Sequence, residues 1–211
     1  MTQGLFITFE GIDGCGKTTQ LQSALRYLET RRVDCIAVRE PGATAIGEKI
    51  RGILLSVNNN EMHNACEVLL YFAARAQLVR EIIAPALNRG AVVLCDRFAE
   101  ATFAYQGFGR GEPMAILESI NAYAAAMVQP TLTFVLDISV EMSADRLKNS
   151  GKPMDRLEGS GKEFYEKVRR GYLNLAEKYP KRMAVLPGEA PIETIAETIQ
   201  NRIAKLIDRR T

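Results

Sequence analysis

A phosphate-binding pattern, G-x-x-x-x-G-K-[ST], occupies residues 11–18 of the chain. The pattern follows an apolar run at residues 5–9 and precedes a helix-compatible stretch at residues 20–30. A strand that turns through glycines into a helix N-terminus directs backbone N–H groups and the positive end of the helix dipole at an anion. This order of segments favours a strand–loop–helix unit that binds a nucleoside triphosphate over an ordinary glycine-rich turn.

Two side chains of this loop have the chemistry that a magnesium triphosphate needs. Lys17 is predicted to reach the β- and γ-phosphates, and the Thr18 hydroxyl is predicted to bind Mg²⁺. Mg²⁺ is therefore the expected cofactor. The loop residues predicted to contact the triphosphate are Gly11, Ile12, Asp13, Gly14, Cys15, Gly16, Lys17, Thr18 and Thr19.

The length and the charge of the chain limit the classes of protein to which it can belong. A chain of 211 residues fits one ordinary α/β domain or at most two small ones. Its 27 Lys and Arg against 25 Asp and Glu give a net charge of +2, which is too balanced to indicate a protein that binds nucleic acid duplexes. No apolar run approaches the roughly 18 residues of a membrane span, and the pattern of a secretion signal is absent. We therefore expect a cytoplasmic protein that binds neither nucleic acid nor a membrane.

Short apolar runs alternate with longer amphipathic stretches along the whole chain. Strands are predicted at residues 5–10, 35–39, 91–96, 131–137 and 183–186. Helices are predicted at residues 17–30, 46–55, 61–87, 114–127, 140–148, 163–179 and 191–209. Strands that are apolar along nearly their whole length indicate burial on both faces. The pattern therefore predicts a three-layer α/β fold in which helices flank a five-stranded parallel sheet.

Charged side chains follow three of the predicted strands at the point where each strand ends. Arg39 and Glu40 follow the second strand, Asp96 and Arg97 the third, and Asp137 ends the fourth. Ligands of open α/β sheets bind beyond the carboxyl ends of the strands. We therefore expect these residues to share one site with the phosphate-binding loop.

One segment, at about residues 148–161, departs from the regular pattern and is called the lid below. It is rich in Gly, Ser and Pro, with interspersed Lys and Arg, and it lies between two predicted helices. A solvated surface loop is the plainer interpretation. A lid that closes basic residues over a triphosphate is the interpretation we favour, because closure excludes water and neutralises charge.

A phosphate-binding loop alone does not separate kinases from GTPases, ATPases or motor domains. The Asn-Lys-x-Asp segment with which GTPases usually read guanine is absent from the sequence. Large mechanical ATPases need a longer chain. The size and the lid therefore favour a small-molecule kinase.

Four segments together resemble the thymidylate kinases: residues 9–19, 39–42, 96–98 and 104–107. The similarity runs essentially end to end, and the order and spacing of the segments make it specific. The resemblance implies one P-loop nucleoside monophosphate kinase domain over residues 1–211, phosphorylation of dTMP to dTDP by ATP and Mg²⁺ in dTTP biosynthesis, and a homodimer. Two alternatives remain open: a kinase for another nucleoside or nucleoside monophosphate, and a non-catalytic module that senses ATP.

The resemblance also implies roles for the charged residues at the strand ends. Arg39 is expected to stabilise the transferring phosphoryl group, and Glu40 to orient Arg39 or to bind the metal through water. Arg97 is expected to grip the acceptor 5′-phosphate, which suits the fork of a guanidinium group. Asp96 is expected to fix Arg97 or a magnesium-bound water, and Asp13 to contact the acceptor 3′-hydroxyl or a metal-bound water. The implied metal residues are therefore Thr18, Asp13 and Asp96.

Selection of the base is implied for a segment around residues 70–75. Arg75 is expected to bond a thymine carbonyl, while an aromatic ring one helical turn earlier stacks on the base. The family commonly has Phe four residues before this arginine, whereas this chain has Tyr71 there and Phe72 next to it. Tyr105 is expected to pack against the deoxyribose. The residues implied for dTMP are Asp13, Glu40, Pro41, Arg51, Tyr71, Phe72, Arg75, Arg97, Thr102, Tyr105 and Gln106.

Gly14 is the position at which one branch of the family carries a basic residue. A neutral residue there implies that the lid supplies the cation that stabilises the transition state. The candidates are Arg146, Lys148, Lys152 and Arg156. Arg156 is ranked first because it matches the family lid best, and Arg146 and Lys152 are assigned to ATP. The implied catalytic residues are Lys17, Arg39, Arg97 and Arg156.

Overall fold

Five parallel strands form the central sheet of the protein, seen here in a computed structural model that describes residues 4–151 and 155–209. The strands are β1 (Leu5–Glu10), β2 (Cys35–Arg39), β3 (Val92–Asp96), β4 (Leu132–Asp137) and β5 (Met183–Pro187). Their order in the sheet is β2-β3-β1-β4-β5, and every neighbouring pair is parallel. The predicted five-stranded parallel sheet flanked by helices is confirmed.

The central strand β1 explains why the sheet needs helices on both faces. All six of its residues are buried, so both sets of alternating side chains must be covered. Phe6 and Phe9 pack into the core, and the Thr8 hydroxyl lies 2.8 Å from the hydroxyl of Thr133 on β4. This pairing satisfies both buried hydroxyl groups across the two strands.

Helices alternate with the strands along the chain, as the amphipathic pattern predicts. They are α1 (Lys17–Thr30), α2 (Ala45–Leu55), α3 (Asn64–Leu78), α4 (Ala84–Asn88), α5 (Ala99–Thr102), α6 (Met114–Ala124), α7 (Val140–Asn149), α8 (Lys162–Lys178) and α9 (Ile192–Asp208). Single 3-10 turns occupy Val57–Asn59 and Glu158–Ser160, and π-helical segments occupy Val79–Ile83 and Phe103–Gly109.

The helix predicted at residues 61–87 starts later and is less uniform than its sequence pattern suggests. It begins at Asn64, because Nδ1 of His63 accepts a hydrogen bond of 3.2 Å from the Ala65 N–H and caps the helix. A π-helical segment then joins α3 to α4. Residues 99–109, for which no element is predicted, form α5 and the second π-helical segment.

Helix α6 ends earlier than predicted, at Ala124 instead of residue 127. Ala126 and Met127 have φ values of +48° and +62°, which an α-helix cannot contain. In the lid, the described residues form the end of α7, a turn and the 3-10 turn Glu158–Ser160, while Lys152 lies outside the described residues. Across residues 4–151 and 155–209, no helix combines the length and the apolar character that a membrane crossing requires.

Candidate active site

One cavity of about 680 Å³ lies at the carboxyl ends of the strands and joins the phosphate-binding loop to the lid. Arg39, Asp96 and Arg97 line it, as expected from their places at the ends of β2 and β3. Asp137 does not line it, because its carboxylate accepts two hydrogen bonds, of 2.7 and 2.9 Å, from Arg169 on α8. The charged residues at the ends of β2 and β3 therefore lie together at the cavity. The charge of Asp137, at the end of β4, is neutralised by Arg169 instead.

The phosphate-binding loop presents its backbone to this cavity. Gly16 precedes α1 with φ +96°, a left-handed conformation that favours glycine, and no side chain caps the helix. The first N–H groups of α1 are therefore directed at the site that an anion would occupy. The loop residues on the wall are Asp13, Gly14, Gly16, Lys17, Thr18 and Thr19.

Three other residues of the loop support the wall from behind. Ile12 and Cys15 are buried, and the carbonyl groups of Gly11 and Ile12 accept hydrogen bonds of 3.1 and 2.9 Å from Nζ of Lys17. These bonds hold the ammonium group at the cavity, and no carboxylate of residues 4–151 or 155–209 forms an ion pair with it, so its charge stays available to an anion.

Two of the three side chains predicted to hold a metal, Thr18 and Asp96, contact each other, whereas the third, Asp13, pairs with Arg97. The Thr18 hydroxyl donates a hydrogen bond of 2.7 Å to Oδ2 of Asp96, which places a hydroxyl and a carboxylate oxygen at one point of the wall. Both oxygens suit Mg²⁺, which usually takes one or two protein ligands together with phosphate and water. The described residues contain no group of three or more His, Cys, Asp or Glu that could hold a metal by themselves.

Asp13 and Arg97, which both line the cavity, form an ion pair on its wall. Nη2 of Arg97 lies 2.5 Å from Oδ1 of Asp13, and the hydroxyls of Tyr105 and Tyr165 donate to Oδ2 at 2.8 and 3.1 Å. Burial would raise the pKa of Asp13, but the positive charges of Arg97 and Lys17 and these hydrogen bonds hold it well below its usual range. Asp13 is therefore ionised, and Arg97 is fixed with part of its surface on the cavity.

Two tyrosines of this cluster, Tyr165 and Tyr172, were not predicted from the sequence. The Tyr172 hydroxyl accepts from Arg97 at 2.9 Å and donates to Glu10 at 2.9 Å. The two tyrosines are seven residues apart on α8, which indicates that they share one helix face, but the spacing does not indicate what that face contacts.

Burial and the charge of Glu100 raise the pKa of Glu10, the partner of Tyr172, to about 8.

Glu40 does not orient Arg39, contrary to the first of the two roles implied for it. Glu48 does so instead: Nη2 of Arg39 lies 2.9 Å from Oε2 of Glu48. Glu40 pairs with Arg75, whose Nε donates to Oε1 at 2.8 Å, while burial raises the pKa of the carboxyl group of Glu40.

Arg51 lines the cavity, and its Nη1 donates to the Pro41 carbonyl at 3.0 Å.

Arg75 is completely buried and does not line the cavity, although the resemblance implies contact with thymine. Besides Glu40, its guanidinium donates to the Thr102 hydroxyl at 2.8 Å and to the Asn121 amide oxygen at 2.9 Å. Of these partners, Glu40 and Thr102 line the cavity. In this structure Arg75 therefore supports the wall rather than forming its surface.

The structure separates the two aromatic candidates for stacking on the base. Tyr71 lines the cavity, whereas Phe72 is only 2% exposed and lies in the core with the Arg75 guanidinium 5.0 Å from its ring centroid. Phe72 therefore faces away from any ligand, because residues 71 and 72 point about 100° apart on a helix. Tyr105 and Gln106 complete this end of the cavity.

Two of the predicted cations, Arg146 on α7 and Arg156 in the lid, differ in where they point. Arg146 lines the cavity and donates to the Gly14 carbonyl at 3.2 Å and to the Gly188 carbonyl at 3.3 Å. Arg156, ranked first from the sequence, does not line it: its side chain is 6% exposed and Nη2 lies 2.5 Å from Oε2 of Glu67. A buried carboxylate that the sequence pattern did not identify therefore holds Arg156 away from the cavity.

A phosphate-binding loop on a five-stranded parallel sheet, which shares one cavity with the arginines at the strand ends, is the arrangement of a P-loop nucleoside monophosphate kinase. The family model described as "Thymidylate kinase" matches residues 9–199. The chain belongs to the thymidylate kinase family.

Curated relatives extend this similarity over nearly the whole chain. "Thymidylate kinase" of Citrifermentans bemidjiense is 43% identical over 96% of this chain and 94% of its own length. "Thymidylate kinase" of Pelotomaculum thermopropionicum is 48% identical over 87% and 85%, and that of Geobacter sulfurreducens is 42% identical over 98% and 100%.

Proposed function

We propose that this protein phosphorylates dTMP to dTDP, with Mg-ATP as the phosphoryl donor, as a single kinase domain in dTTP biosynthesis. The observation that carries the proposal is that one cavity joins the phosphate-binding loop to the Asp13–Arg97 pair and to Tyr71 and Tyr105. A donor and an acceptor nucleotide bound at its two ends would meet between Lys17 and Arg97.

Transfer in this arrangement depends on positioning and on charge neutralisation. The acceptor phosphate is already ionised at neutral pH, so the reaction needs no strong general base. Lys17 binds the β- and γ-phosphates, Arg39 neutralises the transferring group, and Arg97 orients the acceptor phosphate. Arg51 adds a second contact to that phosphate, from the same wall as Pro41.

Thr18 and Asp96 are the residues that would hold Mg²⁺, because their oxygens lie together at the end of the loop. A bound Mg²⁺ supplies positive charge to the β- and γ-phosphates. We assign Asp13 to the sugar 3′-hydroxyl and not to the metal, because Arg97 and two tyrosines already bond its carboxylate.

The dTMP base binds against the ring of Tyr71, with Thr102 and Gln106 at its edges. Tyr105 packs against C2′ of the sugar and so disfavours a ribonucleotide. At the donor end, Arg146 contacts ATP beside Gly14. A side chain at Gly14 would lie 3.1 Å from the Ser143 carbonyl at φ +74°, which supports a cation that comes from α7 instead of from the loop.

Release of ADP from ATP in the presence of single acceptors tests the proposal. We expect turnover with dTMP and much slower turnover with dCMP, AMP, GMP and thymidine, while dUMP measures how much the 5-methyl group of the base contributes. Faster turnover with another acceptor would indicate a different nucleotide kinase. ATP binding without turnover on any acceptor would indicate the sensing module.

We also propose a cytoplasmic homodimer. Large apolar side chains on α2, α3 and α6 are exposed: Ile53 by 46%, Leu69 by 58%, Ile116 by 53% and Tyr123 by 79%. Burying such side chains between two copies is favourable. Light scattering at a mass near 47 kDa, twice the 23.4 kDa of the chain, supports the dimer, and 23.4 kDa contradicts it.

A further inference from the structure

Glu67 is a buried carboxylate that the scheme above does not use. It lies in the first turn of α3 with 1% of its surface exposed. Its Oε2 lies 2.5 Å from Nη2 of Arg156, its Oε1 accepts 2.8 Å from Nε2 of Gln106, and Nε of Arg110 lies 3.6 Å from Oε1. A buried charge is tolerated only with such compensation, so these partners are coupled to it.

The side chain and the backbone N–H of Arg156 both attach the lid to helix α2. Nε of Arg156 donates to the Leu54 carbonyl at 2.9 Å, and its N–H donates to the Leu55 carbonyl at 3.2 Å. Both carbonyls belong to the last turn of α2, where helix carbonyls lack partners of their own. Arg156 therefore joins the lid to α2 and α3 together. Moving its side chain to a triphosphate would leave Glu67 buried without its closest cation.

The neighbours of Arg156 in sequence form part of the cavity wall. Asp155, Leu157 and Glu158 line the cavity, and Oδ1 of Asp155 accepts from the N–H groups of Leu157 and Glu158 at 2.8 and 2.9 Å. This turn is internally bonded, so it is held as a unit by the anchor at Arg156. Fixing that one side chain fixes three residues of the wall.

Glu67 also contacts the acceptor end of the cavity. Gln106, which lines the cavity, donates to it, and Tyr71 lies one helical turn further along α3. One carboxylate thus links the acceptor pocket, through Gln106, to the lid, through Arg156.

We propose that Glu67 is a positioning residue for phosphoryl transfer: through Arg156 it holds the lid turn against the cavity, and Arg156 acts as an anchor and not as a cation on the phosphates. The proposal rests on the proposed dTMP kinase activity. A loosened lid turn admits water and misplaces the reacting groups. Transfer to dTMP therefore slows, and hydrolysis of ATP increases relative to transfer.

Three variants test this role: Glu67→Gln, Arg156→Met and the double variant. The measurements are kcat and KM for dTMP, ATP hydrolysis without an acceptor, and hydrogen exchange of residues 155–161. We expect each single variant to lower kcat by roughly 10- to 100-fold, as misplacement by about 1 Å does. KM for dTMP should change by less than about threefold, because Arg156 touches no substrate and Glu67→Gln keeps an oxygen that can accept from Gln106. Hydrolysis relative to transfer and exchange in the lid turn should both rise.

The double variant separates an anchor from a transition-state cation, and Arg156→Lys measures how far charge alone replaces the guanidinium group. If Glu67 and Arg156 act as a pair, the double variant has about the same kcat as each single variant, because a shared interaction is lost only once. Arg156→Lys keeps the charge opposite Glu67 and should recover part of the loss. A large loss in Arg156→Met with normal kcat in Glu67→Gln overturns the proposal in favour of direct phosphate contact.

Arg182→Met is the matched control for loss of a buried ion pair. Nη1 of Arg182 lies 2.5 Å from Oε1 of Glu100, which is 1% exposed, and Arg182 does not line the cavity. We expect lower thermal stability with unchanged kcat and unchanged hydrolysis. If Glu67→Gln and Arg156→Met also lower thermal stability and leave kcat and hydrolysis unchanged, the positioning role is overturned while the proposed dTMP kinase activity stands. Absence of dTMP turnover in the wild-type protein would instead overturn the proposed function.

Discussion

Arg97 and Asp13 form an ion pair across the loops that leave β3 and β1, with Nη2 of the arginine 2.5 Å from Oδ1 of the aspartate. The pair is partly exposed, by 15% and 27%, so it is fixed by the protein and still reachable from the cavity. Tyr105 bonds to both partners, at 3.0 Å to Arg97 and 2.8 Å to Asp13. These contacts within the protein fix both side chains of the acceptor site that we propose.

Asp13→Asn should lower kcat/KM for dTMP by about 10- to 100-fold. The substitution removes the charge that orients Arg97, and hydrogen bonds to charged groups contribute about 1.5–3 kcal/mol. Steady-state kinetics with dTMP measures the effect. Asp34→Asn is the control, since Asp34 pairs with Arg89 on the surface, with 60% and 48% exposure. Equal kinetics in the two variants would contradict the assignment of Asp13.

Lys17→Ala should abolish detectable phosphoryl transfer while the protein stays folded. The side chain is the cation that the loop holds at the cavity through the Gly11 and Ile12 carbonyls. Its loss removes charge neutralisation where negative charge develops. ADP release measures activity, and circular dichroism checks the fold. Lys167→Ala, which removes an exposed helix lysine, should behave as wild type.

Tyr71→Ala should mainly affect binding of dTMP, and Phe72→Ala should mainly affect stability, although the residues are adjacent. Tyr71 lines the cavity and is only partly buried against the core, so its loss should raise KM for dTMP and lower the melting temperature less than loss of Phe72 does. Phe72 is 2% exposed, so its loss should lower the unfolding free energy by about 3–5 kcal/mol. Kinetics and thermal melting of both variants check this. A larger KM effect in Phe72→Ala would contradict the placement of the base.

The pH dependence of stability should contain a contribution from Glu10. Burial raises its folded pKa from 4.5 to about 8, so between these values the folded state holds a proton that the unfolded state has released. This contribution therefore falls as pH rises from about 4.5 to about 8. Glu10→Gln keeps an acceptor for the Phe98 N–H and should weaken the pH dependence in that window.

Melting temperatures at pH 5 to 8.5 compare the slopes of the variant and the wild type. Glu163→Gln is the control, because Glu163 is an exposed helix residue paired only with Lys167 among the contacts described. A Glu10→Gln curve parallel to that of the wild type would show that Glu10 is ionised in the folded protein.

Much of the fold could be predicted from local sequence. Residues 5–30 encode a strand, a glycine turn and a helix, and the structure contains β1 and α1 with the predicted bounds. The elements that were missed depend on contacts that a local pattern does not contain. His63 starts α3 by capping Ala65, and residues 99–109 become helical while packed against α8 and the core.

The sequence by itself determined the phosphate-binding loop, the parallel sheet and the edge at which the site lies, because each depends on backbone geometry and on periodicity. Only the tertiary structure decided which carboxylate each arginine meets. The buried Arg75 pairs with Glu40 and the buried Arg156 with Glu67, 35 and 89 positions away in the chain. A buried charge must be neutralised by whichever partner the packing brings close, and no spacing along the chain encodes that choice.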